Sequence, residues 1–455
     1  MIYLKSICNT KKEINNTLEA MERIYSPKYG LANTGKDKEL NHLNVSIGSC
    51  KYSVGSVIPL FYSEVMNVMF SNLYGAGAAL TKEKSKVKAY GEFIERYSAT
   101  YLVGHDVDTI FDTYDNLSCK EECLDFNELI HFEDYLYDQP EFHYKRYFAD
   151  TSISWVKGKD LLKGTDIWLP AQKVFLGLNL RNTEQQHITW MSTGLACGDD
   201  YNQATISGLF EVVERDSFMI TWLLKLSGTR IIIDNIHNAD LKSLYDHIKK
   251  YLVGEDKLHI YDISRTAGVY TVLTYIRNDN PRSFGLIVSA ASHVKIEIAL
   301  LKSLEELCLT QSFAYRKLIS DTEKACQELK MNEVTDLHKH TFYYSTGRHS
   351  HEIDFISSSN CEVKLSEMKD FNEGSDDDII EYLVELFRQN NQPIYTSDVT
   401  RQEIRECGFS VVRAIISGYN DLDISHQYRH LKNRRLKEFQ EKYSAEINEA
   451  PHPFP

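Results

Sequence analysis

The chain has 455 residues, enough at roughly 150 residues per domain for about three units and a large buried core. Its 28 Tyr and 20 Phe supply too much ring surface for a disordered chain, and 22 Gly with 9 Pro exclude a collagen-like or low-complexity one. The 51 basic and 65 acidic residues leave a net charge of −14, which repels phosphate backbones and argues against general nucleic-acid binding while leaving room for a local nucleotide site.

In chain order, a helical pattern runs from Lys11 to Tyr25 and ends in the turn Ser26-Pro27-Lys28-Tyr29-Gly30. Residues 85–103 carry apolar side chains at helical spacing. Residues 106–150 are acidic and aromatic and read as an irregular insertion, in which Cys119 and Cys123 are spaced to share a helix face. Trp155 to Leu176 alternates and reads as short strands joined by turns. A second strong helix spans Asp199 to Leu226. Strand-like runs follow at Arg230–Ile233, Leu258–Ile263, Val269–Ile276 and Phe284–Val288, then a third strong helix at Ile296–Leu318. Residues 319–375 are weakly patterned. Within them His338, His340, His349 and His351 flank a β-like run, Thr341–Ser345, and read as solvent-facing strand residues rather than metal ligands. The end of the chain reads as helix Asp377–Gln389, strand Pro393–Ser397, helix Gln402–Cys407 and strand Ser410–Ile416. A charged helical stretch follows from Gly418, with Lys432–Lys437 as a solvated face. Such alternation implies an α/β or mixed α+β fold.

No apolar stretch reaches the ~18 residues of a spanning helix. Val54 to Phe70 comes nearest and is broken by Glu64. No signal-peptide pattern opens the chain, and the nine scattered Cys lack zinc spacing, so the expectation is a cytoplasmic protein with reduced thiols and no membrane contact.

Two segments repeat one motif. Residues 91–97 read Gly-Glu-Phe-Ile-Glu-Arg-Tyr and residues 210–216 read Phe-Glu-Val-Val-Glu-Arg-Asp. Each places two glutamates at i, i+3 on one helix face: Glu92 with Glu95, and Glu211 with Glu214. A single such motif is most simply a solvated, ion-paired surface. Two copies, each bordered by apolar residues, instead imply buried carboxylates that need partners. Facing helices would gather four carboxylates, and cations must neutralise them. An all-oxygen set without His suits Mg²⁺, and Mg²⁺ held by carboxylates usually accompanies a phosphate substrate. Glu305-Glu306 offers a third, less distinctive acidic pair. Three of the nine Pro fall in Pro451-His452-Pro453-Phe454-Pro455, a stiff extended segment that loses little entropy on entering a groove.

These residues resemble the YcaO family, in particular the azoline-forming, SagD-like docking-scaffold D proteins of thiazole/oxazole-modified peptide biosynthesis. The resemblance rests on Gly75-Ala-Gly77 followed by Gly91 to Ser98, and on Ser192-Thr-Gly-Leu-Ala-Cys-Gly198 running through Glu211 to Asp216. It extends to Trp155–Ala171, Ala299–Glu306, Ser397–Thr400, Gly408–Gly418 and the Pro-x-Pro-x-Pro end. Departures are Ala76 where the family often has Lys, Gln203 where an acidic ligand is frequent, and Ser417-Gly418 for Pro-Gly.

The resemblance implies a YcaO fold with an N-terminal segment (1–65), a catalytic domain (66–418) and a C-terminal helix with tail (419–455), the ATP/Mg²⁺ site lying between the two motif helices. It implies an ATP-dependent cyclodehydratase. A Cys, Ser or Thr side chain of a precursor peptide attacks the preceding carbonyl, the amide oxygen takes the γ-phosphoryl, and phosphate leaves to give thiazoline or oxazoline. Glu92, Glu95, Glu211, Glu214 and Glu306 then hold Mg²⁺ directly or through water, and Arg215, Asp199, Gln203 and Gly198 serve the nucleotide. Pro451, His452, Pro453 and Pro455 enter the site. The partners implied are the precursor peptide, a separate E1-like leader-binding protein, a following FMN dehydrogenase and a second copy of the chain. The competing readings are a non-catalytic docking scaffold and a thioamide- or macroamidine-forming relative.

Overall fold

The computed structural model describes residues 11–26, 31–39, 43–47, 50–54, 61–67, 73–100, 107–177, 184–252, 257–279, 285–320, 329–345, 347–372 and 374–454. Among them, helix α1 (Lys11–Glu22) packs on α2 (Lys82–Ala99), and α2 lies on a three-stranded antiparallel sheet of β1 (Thr34–Glu39), β4 (Phe61–Asn67) and β5 (Leu73–Ala79). A separate hairpin pairs β2 (Leu43–Ile47) with β3 (Cys50–Val54). The contact of β5 with α2 is backbone on backbone. A Cβ on Gly75 would stand 2.3 Å from the Ala89 carbonyl oxygen, and one on Gly77 2.4 Å from that of Ser85. Only glycine lets the strand come so near.

The second layer is a six-stranded sheet. Strands β6 (Thr109–Thr113), β7 (Ser152–Asp160), β15 (Ile394–Asp398), β16 (Ser410–Ile416) and β9 (Leu195–Gly198) lie in that order, with β8 (Thr165–Pro170) also paired to β7. A five-stranded sheet follows the order β13 (Leu286–His293), β12 (Tyr270–Arg277), β11 (Lys257–Asp262), β10 (Thr229–Ile232) and β14 (Glu362–Lys364). The short helices α3 (Tyr114–Leu117) and α4 (Ala171–Val174) decorate the first of these sheets.

Helix α5 (Tyr201–Leu223) joins the two sheets. It packs on β16 and β9 and also on β13. All of its residues except Tyr201, Asn202 and Arg215 are buried, as expected for a helix apolar around most of its circumference. Asp200 caps it, its carboxylate accepting the Gln203 N–H at 2.8 Å. Helix α7 (Ile296–Ser320) covers β12 and β13 and reaches β5, with α6 (Ala239–Tyr251) on its flank. Helices α2, α5 and α7, the three that carry the acidic pairs, thus border one region.

The mixed fold class and most of the strands and long helices follow the sequence expectations; β16 matches to the residue. Three readings change. Thr341–Ser345 is not a strand. Residues Leu337–Tyr343 form helix α8, capped by Asp336 accepting the Lys339 N–H at 3.0 Å, and bury His340, Thr341 and Tyr343. Capping and burial overrule the alternation of polar and apolar residues.

The stretch after Gly418 is helical only over α11 (Arg434–Tyr443); helices α9 (Asp376–Gln389) and α10 (Gln402–Glu406) precede it. Residues 419–433 form a partly buried loop pinned by Asp423, whose carboxylate accepts the His430 N–H at 2.8 Å. The Lys432–Lys437 stretch is not simply solvated, because Arg435 turns inward to the fully buried Asp216 at 2.7 Å. Finally, Cys119 and Cys123 share no helix, since α3 stops at Leu117. The N-terminal strands and α6 escaped the sequence reading altogether. No helix among the described residues is long and apolar enough to cross a membrane.

Candidate active site

On α2, Glu92 is tied down. Its Oε2 accepts the Ala76 N–H at 2.6 Å, and its Oε1 lies 2.6 Å from Arg96, whose other arm donates to the Tyr74 carbonyl at 3.0 Å. Glu95, one turn on, is 2% exposed, and its Oε2 has no hydrogen-bond partner. Burial pushes the Glu95 carboxyl up to about 8, with Glu211 and Glu92 adding to the rise.

On α5, Arg215 stands 3.5 Å from Glu211 Oε1 through one guanidinium arm and 3.5 Å from Glu214 Oε1 through its Nε. Neither contact is a short, aligned fork, and Arg215 Nε and Glu214 Oε1 make no hydrogen bond. Burial lifts the Glu214 carboxyl to about 8 as well; Glu211 and Glu306 push in the same direction while Arg215 opposes. On α7 the Glu306 carboxyl is raised by burial and then by Glu92. These mutual influences place the carboxylates of all three helices in one electrostatic neighbourhood. Among the described residues no three or more His, Cys, Asp or Glu close into a metal cage. Glu95 Oε2 and Glu214 Oε1 are buried without a hydrogen bond. That suits a Mg²⁺ ion, which keeps waters and takes substrate phosphate oxygens rather than filling an all-protein cage.

Two cations complete the neighbourhood that sequence reasoning had not assigned. Lys302 lies on α7, its amine driven well below the ordinary lysine value by burial, with Lys88 adding and Glu305 and Glu214 opposing. Arg413 on β16 is fully buried. It donates to the Val174 carbonyl at 3.0 Å and the Thr193 carbonyl at 2.7 Å, and its remaining terminal nitrogen has no partner. Burial lowers the Arg413 guanidinium to about 10, while Asp421, Glu211 and Glu95 oppose that fall. One signal was available in the sequence: a lone charge within Val411-Val412-Arg413-Ala414-Ile415-Ile416 needs a buried partner.

The loop before α5 is drawn tight. Gly194 has φ +83°, and a Cβ there would stand 2.1 Å from the Ala414 carbonyl oxygen. A Cβ on Gly198 would meet the Ala204 nitrogen at 2.6 Å. The Gln203 side-chain oxygen accepts the Asp199 N–H at 2.9 Å, which fixes the entry to the helix.

The proline-rich segment runs along the second half of α5. Trp222 Nε1 donates to the Ala450 carbonyl at 3.1 Å and the Asn448 N–H to the Leu223 carbonyl at 2.7 Å. The Tyr344 hydroxyl donates to the Pro451 carbonyl at 2.5 Å. Pro451, His452, Pro453 and Phe454 are all buried. The Phe454 ring lies 4.6 Å from Phe218 and carries the Arg215 guanidinium 4.5 Å above its centroid. The segment thus ends against the arginine that stands between Glu211 and Glu214.

A family model described as YcaO cyclodehydratase, ATP- and Mg²⁺-binding, matches residues 76–420. The chain belongs to the YcaO family. ATP and Mg²⁺ are the cofactors of that family, and the open acidic set fits them. Solved structures show the same YcaO fold. A heterocyclase in complex with substrate and cofactor superposes with a TM-score of 0.74 at 17% identity, over 97% of this chain and 57% of that one. YcaO from Methanopyrus kandleri bound with AMPPCP and Mg²⁺ gives 0.61 at 19% identity, over 90% and 91% of the two chains. The E. coli microcin synthetase McbBCD complex gives 0.55 at 15% identity, over 83% and 91%. The chain spans little more than half the length of the heterocyclase it matches. Of the residues singled out in the sequence, Glu92 and Glu95 lie on α2, Glu211, Glu214 and Arg215 on α5, and Glu306 on α7. Asp199, Gln203 and Gly198 meet at the start of α5, and Pro451, His452 and Pro453 at its far half, while Pro455 lies outside the described residues.

Proposed function

We propose that this YcaO protein is an ATP-dependent peptide cyclodehydratase of the azoline-forming, SagD-like type. The observation that carries the reading is the seating of Phe454 on Arg215, beside both α5 glutamates. A scaffold has no use for buried, incompletely paired carboxylates, which cost several kcal/mol unless a ligand compensates them. When bound, ATP and Mg²⁺ supply a phosphoryl group that turns the amide oxygen into a leaving group, and the charge to balance it.

In this reading Glu92, Glu95, Glu211, Glu214 and Glu306 hold the metal, directly or through water. Arg215 and Arg413 offer unpartnered guanidinium nitrogens to phosphate oxygens. Asp199, Gln203 and Gly198 shape the nucleotide entrance. The buried segment Pro451–Phe454 closes the site against water. His452 donates from Nε2 to the Asp423 carbonyl at 2.9 Å, so its Nδ1 is the nitrogen left to accept a proton. The substrate is a ribosomal precursor peptide, converted at Cys, Ser or Thr. A separate E1-like protein supplies leader binding.

The test is mass spectrometry of a Cys/Ser-rich precursor after incubation with this protein, its E1-like partner, ATP and Mg²⁺. Loss of one water mass per ring, dependent on ATP, is the expected result. Tight binding of both partners with an unchanged precursor mass overturns it in favour of the scaffold.

A further inference from the structure

His452 is stacked on a second histidine. The His340 ring lies 3.8 Å from that of His452, centroid to centroid, at an interplanar angle of 13°. His340 Nδ1 meets the His452 carbonyl oxygen at 2.8 Å, and His452 Nε2 meets the Asp423 carbonyl oxygen at 2.9 Å. A carbonyl oxygen only accepts, so both ring nitrogens donate and both tautomers are fixed. His452 Nδ1 is then a bare lone pair, and it is buried without a partner.

We propose that His340 is a positioning residue for cyclisation, gripping the His452 carbonyl and lying flat on its ring so that His452 is held as a neutral base with Nδ1 bare. This rests on the cyclodehydratase reading. In the step, His452 Nδ1 takes the proton of the precursor thiol or hydroxyl as the S–C or O–C bond forms and the carbonyl π pair moves onto oxygen; that oxygen then takes the γ-phosphoryl of ATP as the bond to ADP breaks and ADP leaves. That proton passes to solvent. The amide N–H proton leaves with phosphate as the C–O bond to the phosphorylated oxygen breaks and C=N forms.

The groups around the pair favour neutrality. His452 is faced by His340 from α8, by His426 from the loop at 419–433 and by Arg215 from α5, and its basicity falls well below the ordinary value, through burial first and then through these groups, while the Asp423 carbonyl opposes the fall. Asp423 meets it by its carbonyl, while the Asp423 carboxylate is engaged with His430 Nδ1 at 2.8 Å. His340 is likewise lowered by burial, against the pull of Asp423 and Asp336 and of the His452 and Ile424 carbonyls. Protonating His340 therefore places a cation against the base and lowers its proton affinity further. Removing His340 releases that restraint.

The experiment compares wild type, His340→Phe and His340→Gln in two readouts. The first is the pH profile of cyclisation at saturating ATP, Mg²⁺ and E1-like partner. His340→Phe keeps a flat ring and loses both the donor and the charge. Its kcat should fall roughly tenfold or more with precursor KM little changed, and its acid limb should move to higher pH as His452 regains basicity. His340→Gln restores a donor to the His452 carbonyl, so kcat should recover while the acid limb stays displaced.

The second readout is hydrogen exchange of the peptide spanning 446–454, which should be faster in Phe than in Gln or wild type. A uniform drop in rate with an unmoved acid limb in both variants overturns the proposal, as does unchanged exchange in His340→Phe. Wild-type protein that never cyclises the precursor overturns the functional reading instead, and the exchange measurement still decides whether His340 seats the segment.

Discussion

The Glu95 and Glu214 carboxyls are both buried, and in the proposed reading both hold the metal. Without it, each is raised to about 8 from 4.5, mainly by burial. The native state then binds more protons than the unfolded chain between those values, so the metal-free protein should lose stability as pH rises from about 4.5 to 8, both carboxyls acting in the same direction. Thermal unfolding in chelator across that range should show the slope. Glu95→Gln should flatten it and raise the melting temperature at its alkaline end, while ATP with Mg²⁺ should stabilise wild type and not the variant. Arg215→Lys keeps a charge but loses the planar group that lies over Phe454 and spans two carboxylates. A tenfold or greater loss of precursor-dependent ATP hydrolysis is expected, on the order of 1.4 kcal/mol, with the fold intact by circular dichroism.

At the scale of elements, the approach of β5 to α2 puts the Ala76 N–H on Glu92. Gly77→Ala adds a Cβ 2.4 Å from the Ser85 carbonyl oxygen and must push strand and helix apart. Denaturant unfolding should register roughly 1–3 kcal/mol of destabilisation, together with weaker Mg²⁺-ATP affinity. This contact also explains what the sequence shows and conceals. The repeated Glu-x-x-Glu-Arg pattern was legible because helical spacing and chemistry coincide within five residues. β1 reads Thr-Gly-Lys-Asp-Lys-Glu and β5 reads Leu-Tyr-Gly-Ala-Gly-Ala-Ala. Neither shows strand alternation, because one is polar throughout and the other is shaped for close approach to a helix. α8 was misread because its alternating His and aromatic residues fit a strand, while its cap, Asp336, acts through a single side chain. His340 gave little local signal, since its partner His452 lies 112 residues away in the chain.

Across the whole molecule, one helix serves both sheets and the site. α5 packs on β9, β16 and β13, bears Glu211, Glu214 and Arg215, and receives the proline segment on its second half. Deleting residues 451–455 should therefore leave the sheets folded and ATP binding largely retained, while abolishing ring formation in the precursor mass spectrum. Retained cyclisation in that deletion would remove the segment from the mechanism. The fold class could be read from the alternation of elements. That the far end of the chain returns to the motif helix could not, because no periodicity encodes a contact between Trp222 and Ala450, 228 residues apart.

That separation has a consequence for synthesis. A ribosome completes α5 well before it reaches Ala450, so Arg215 is made long before the ring that lies against it. In the proposed reading, ring formation waits on residues 451–454 being made and folded back onto α5.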